Sequence, residues 1–102
     1  MRFHAFLPFS LALVGALAAC ASPSPRMMSG ERHDIEIAGT AFTVFRKGDE
    51  VEVYRTTPEL LPRMSEVFAK AEQAIRQTTG CAVEDGSLVG DAALMKARLN
   101  CG

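Results

Sequence analysis
Apolar and polar residues alternate from His33 to Thr57, and the alternation predicts strands. Ile35 and Ile37 are separated by charged Asp34 and Glu36. Gly39 and Thr40 mark a turn, after which Phe42 and Val44 share one face while Thr43 and Phe45 share the other. Lys47-Gly48-Asp49 is a second turn signal, followed by Val51 and Val53 between Glu50, Glu52 and Tyr54. With Lys47-Gly48 as a two-residue turn, Val44 faces Val51 and Phe42 faces Val53, a pairing that cross-strand packing favours. Thr43 then faces Glu52 on a largely solvated opposite side. The expectation is a three-stranded antiparallel meander with one apolar face.

The period changes after Thr57. Leu61, Met64, Phe68, Ala71 and Ile75 fall at steps of three and four, the stripe of a helix that packs on a sheet. Glu66 precedes Lys70, and Glu72 precedes Arg76, by the four residues that favour pairing on a helix surface. Pro58 suits a helix start, whereas Pro62 does not suit an interior, so the regular helix is expected to begin between 59 and 62. Gly80 is placed as its C-terminal stop. Beyond it, Cys81-Ala82-Val83 reads as a short strand and Asp85-Gly86 as a turn. Met95, Ala97, Leu99 and Cys101 alternate with Lys96, Arg98 and Asn100, which favours a terminal strand. Asp91 ahead of Ala92-Ala93-Leu94 offers the alternative of a short capped helix. The fold class expected is α+β: a small antiparallel sheet with one helix on one face, in the order β-β-β-α-β-β.

The first 20 residues follow a different logic. Met1-Arg2-Phe3-His4 carries a positive start, and Ala5 to Leu17 is an apolar run interrupted by Pro8, Ser10 and Gly15. A spanning helix needs about 20 apolar residues, so this run reads as an export signal. It ends in Leu17-Ala18-Ala19-Cys20. Those four residues resemble the lipobox of bacterial lipoproteins. The resemblance implies cleavage before Cys20, acylation of its thiol and amino group, and anchoring facing the periplasm. Each buried methylene contributes about 0.8 kcal/mol, and two chains give stable anchoring. An ordinary signal cut after Ala19 or Ala21 is the alternative. Ala21 stands where that family often places an aspartate retaining the protein at the inner membrane, which favours the outer membrane. The organisation expected is a signal peptide over 1–19, a lipid-anchored flexible linker over 20–32 and a small domain over 33–102. Pro23, Pro25 and the serines of Ala21 to Gly30 suit a tether, expected to be disordered.

Removing 19 of the 102 residues leaves 83, one small domain with a marginal core. Without Arg2 the remainder holds ten Lys and Arg against twelve Asp and Glu, a net charge of −2. That balance carries no basic stripe for nucleic acid. If Cys20 is acylated, Cys81 and Cys101 remain as a pair in an oxidising compartment, and a disulfide between them is expected. Its contribution would be about 3 kcal/mol.

The candidate chemistry is thin. Met27, Met28 and His33 are soft ligands that suit copper, at a weak spacing. Asp49, Glu50 and Glu52, or Glu84 with Asp85, offer carboxylates without a calcium-loop pattern, and Glu50 and Glu52 read as a solvated edge. Ser65, Ser87 and His33 make no triad, and Gly86-Ser87-Leu88-Val89-Gly90-Asp91 is no phosphate loop. Lys96 and Arg98 with Arg46, Lys47 or Arg55 form a candidate basic patch. No catalytic residue, metal ligand or cofactor is assigned. The expectation is a non-enzymatic envelope lipoprotein that contacts the membrane through its anchor and a protein partner through an exposed sheet edge or a patch including Phe45 and Tyr54. A small-ligand or metal-binding module is the alternative, and no nucleic-acid partner is expected.

Overall fold
The computed structural model describes residues 25–58 and 61–102; the expected export signal over 1–19 and Cys20 lie outside them. Strands β1 (Glu31–Ile37), β2 (Thr40–Lys47) and β3 (Glu50–Arg55) form the expected antiparallel meander. Helix α1 (Met64–Thr79) follows, then two-residue strands β4 (Ala82–Val83) and β5 (Val89–Gly90), and β6 (Leu94–Asn100). The sheet order is β1-β2-β3-β6-β4, with β5 also paired to β6. β6 is therefore central, β3 on one side and the two short strands on the other.

Alternation sorts the sheet into two faces. Ile35, Ile37, Phe42, Val44, Val51, Val53, Met95, Ala97 and Leu99 share one, and α1 lays Val67, Ala71, Ala74 and Ile75 over it. Cys81 and Cys101 form the expected disulfide, Cα–Cα 4.5 Å, closing β6 onto the chain that leaves the helix.

The β2–β3 register differs from the expected one by two residues. Val44 pairs with Val53, Phe42 with Arg55 and Lys47 with Glu50, so Gly48-Asp49 is the turn. The reason is local. Gly48 has φ 60°, and a two-residue hairpin that needs a positive φ at its first central position takes glycine there. An offset of two preserves the faces, so the core membership stands. The first hairpin also turns one residue earlier, at Ala38-Gly39, both with positive φ.

The helix begins at Met64, later than expected. Leu61 has φ 53° and is 95% exposed, so it leaves the stripe. Pro62 disfavours a helical Leu61, and the chain takes up the 3.6 period only after it. Val67 takes over the buried position and Phe68 is half-buried. Arg76 pairs with Glu72 at 3.3 Å as expected. Lys70 does not meet Glu66: its Nζ donates to Thr40 Oγ1 at 3.1 Å, tying α1 to β2, and Glu66 lies 3.8 Å from Arg63. Gly80 caps the C-terminus with φ 73°.

The last segment is a strand. Asp91 Oδ1 accepts the N–H groups of Ala93 and Leu94 at 2.8 and 2.9 Å, and the Asp91 N–H donates to Leu94 O. These bonds close a tight turn between β5 and β6, the same capping chemistry spent without a helix.

Candidate functional site: the second sheet face and the free edge
The face away from α1 was expected to be solvated, yet Thr43, Phe45 and Glu52 are buried there. Asp34 covers Thr43, Tyr54 and Arg32 cover Phe45, and the cover beside Glu52 comes from the segment expected to be a tether. Pro25–Met27 forms a single 3-10 turn, and Met27 is 1% exposed. Its side chain lines a cavity of ≈ 150 Å³ with Glu50, Glu52, Ser87, Lys96 and Arg98. Gly30 makes this descent feasible. A Cβ at residue 30 would sit 2.2 Å from the carbonyl oxygen of Arg46, so only glycine lets the chain press against β2.

Phe45 and Tyr54 meet edge to face at 5.6 Å, and the Arg32 guanidinium lies over the Phe45 ring at 5.7 Å. Phe45 is 5% exposed and so is no part of an uncovered patch, while Tyr54 is half-buried. Nor is Glu52 part of a solvated edge. It sits on β3 opposite Phe45 on one side and Lys96 on the other, and Tyr54 OH donates to its Oε1 at 3.0 Å. Burial of a carboxylate demands such donors.

The other candidates are dispersed. His33 is on the α1 face, 3.3 Å from Glu31 Oε2, while Met27 seats on the opposite face and Met28 is exposed. The three soft ligands therefore do not converge. Among the described residues no group of three or more His, Cys, Asp or Glu is arranged to hold a metal ion. Ser87 Oγ donates to Glu84 O at 2.7 Å and accepts the Arg98 N–H at 3.1 Å, which commits it to the backbone. Ser65 is exposed on α1. The basic residues divide between faces. Arg46 reaches Gly48 O, and Arg55 reaches Ala92 O and Thr57 O, whereas Lys47, Lys96 and Arg98 point the other way, Arg98 pairing with Glu84 at 3.4 Å. Asp91 is held below the ordinary carboxylate range by the N–H groups of Leu94 and Ala93.

One sheet edge is open among the described residues. β1 is the outer strand of the sheet, seven residues long, and no described strand pairs with its far side. Which groups are free follows from β2. Ala41 uses its N–H toward Thr57 Oγ1 and its carbonyl toward the Thr56 N–H, so it points to the β3 side. Thr40 and Phe42 therefore point to β1 and engage Ile37 and Ile35. The N–H and C=O groups of Arg32, Asp34 and Glu36 point outward. The Met27 cavity, ≈ 150 Å³, is below the usual size of a ligand pocket, about 300 Å³ or more, while the wider clefts, ≈ 470 Å³ beside Glu31 and Lys47 and ≈ 300 Å³ beside Asp34 and Thr43, are shallow and open to solvent. An open strand edge has no such limit.

No family model matches the chain, and no curated protein or solved structure matches it significantly. Among the described residues, no helix is long and apolar enough to cross a membrane.

Proposed function
We propose that this is a lipid-anchored bacterial envelope protein whose disulfide-closed domain is a non-enzymatic docking module. Leu17-Ala18-Ala19-Cys20 supports acylation at Cys20, and Ala21 supports the outer membrane, facing the periplasm. The observation that carries the docking role is the outward ladder of Arg32, Asp34 and Glu36 on β1. A partner strand laid along it gains main-chain hydrogen bonds, and its alternate side chains supply specificity. The charged side chains of Arg32, Asp34 and Glu36 keep the edge soluble until the right strand arrives.

Placement and docking separate experimentally. Mass spectrometry of the processed protein should show acyl mass on Cys20 and a Cys81–Cys101 disulfide. Affinity capture from intact envelopes should then be repeated with Cys20→Ser and with Asp34→Pro. Proline at residue 34 removes an outward N–H and no internal ladder bond, and because it also removes the carboxylate that accepts the Thr43 hydroxyl at 2.7 Å, Asp34→Ala serves as the control that loses the side chain and keeps the N–H. Partners should be lost with Asp34→Pro. Capture that survives this change would remove β1 as the docking edge.

A further inference from the structure
We propose that the strand received by β1 is β1 of a second copy of this chain, paired antiparallel with His33 on the two-fold axis. This rests on reading β1 as the docking edge and names its occupant. The argument is one of register and charge. Only registers that set outward-facing residues opposite one another make the ladder, so Arg32, Asp34 and Glu36 must meet residues from the same set; the Gly30 N–H is spent on Met27 O at 3.0 Å and ends the set. With the axis at His33, Arg32 lies opposite Asp34 of the other copy, twice, on the face away from α1. On the helix face Glu31 lies opposite Ile35, and the two His33 rings meet at the axis.

The neighbouring registers are worse. An axis at Asp34 pairs Arg32 with Glu36 twice but sets two carboxylates against each other on the axis itself, whereas the His33 register keeps two opposite-charge pairs with no like pair among them. An axis at Ile35 sets Asp34 against Glu36, twice, and an axis at Arg32 sets two guanidiniums together. Opposed like charges destabilise a strand pair, and opposite charges stabilise it. The same side chains that repel other registers therefore select this one. Arg32 and Asp34 lie 3.5 Å apart with 56% and 66% of their side chains exposed, so both can also face a second copy while Asp34 Oδ1 keeps the Thr43 hydroxyl at 2.7 Å and Arg32 stays over the Phe45 ring.

Among the described residues the edge is also clear of obstruction. The segment before β1 does not run along it: Gly30 presses on Arg46 of β2, and Met27 seats farther in, beside Glu52 and Lys96. Pairing makes one continuous sheet with both α1 helices on the same face. The two Glu31 residues then stand about 14 Å apart along the strands, so both tethers can reach one membrane.

A cysteine scan of the full-length, processed protein in liposomes tests the register. At a non-hydrogen-bonded antiparallel pair the Cα atoms are about 4.5 Å apart, within disulfide reach. Mild oxidation with diamide should convert His33→Cys to a covalent dimer at least tenfold faster than Asp34→Cys or Ile35→Cys, which lie beyond reach of their own copies. Arg32→Asp and Asp34→Arg should each give monomers by sedimentation, and the double variant should restore the dimer. Circular dichroism and an intact Cys81–Cys101 bond control for folding, and the cysteine scan decides alone if a reversal fails to fold. Fastest cross-linking at Asp34→Cys or Ile35→Cys, none at His33→Cys, or dimers that survive the single reversals would overturn self-pairing. If a different envelope protein is captured and lost with Asp34→Pro while His33→Cys stays monomeric, self-pairing fails and edge docking stands. If neither result depends on β1, both fail.

Discussion
Truncating Met27 to alanine removes a side chain that is 1% exposed, and it should destabilise the domain by about 2–4 kcal/mol. Urea unfolding measures this, and a cost near zero would mean the segment before β1 is only a tether. Its burial was not readable from a Pro- and Ser-rich stretch, because the signal lies in tertiary fit. Gly30 permits the approach and Phe45 and Glu52 supply the surface. Ala38 is a second residue-scale case. It holds φ 47° without being glycine, at a steric cost of roughly 1–2 kcal/mol. Ala38→Gly should recover part of that and raise the midpoint of thermal unfolding. Asp91 gives the pH dependence. Its folded carboxyl titrates below the usual aspartate range because Leu94 and Ala93 donate to it. Its contribution is present above the unfolded value and is lost as pH falls through the folded one. A carboxyl chemical-shift titration should show that low midpoint, and Asp91→Asn should remove its part of the acid-side slope.

Among the elements, α1 was legible in type and not in detail. Steps of three and four named Ala71 and Ile75, which are fully buried, but they also named Leu61. A proline next in line overrides periodicity, because a backbone clash is local and a hydrophobic stripe is only a preference. Ile75→Ala should therefore cost about 2–5 kcal/mol, while Leu61→Ala should leave stability nearly unchanged. The strands were legible in face and not in register, since a shift of two at Gly48 keeps every side chain on its side. The free edge was legible only as a class of feature. Which strand is outermost depends on β6 entering beside β3, a non-local pairing that no window of sequence displays.

At the scale of the whole molecule, a small core is closed by one covalent link, covered by α1 on one sheet face and in part by the Met27 turn on the other. Reducing Cys81–Cys101 should lower stability by about 3 kcal/mol, read as a shift in urea midpoint. With α1 over one face and the Met27 turn over part of the other, the rim at β1 is the recognition element under the docking proposal. An anchor at Cys20 would confine that rim to a membrane surface and raise the frequency of strand–strand encounter. Amide exchange, quenched and read residue by residue, addresses this most directly. At high dilution His33 and Ile35 should be protected while Arg32 and Asp34 exchange fast; in the native membrane Arg32 and Asp34 should become protected too. An unchanged alternating pattern in the membrane would contradict docking at this edge.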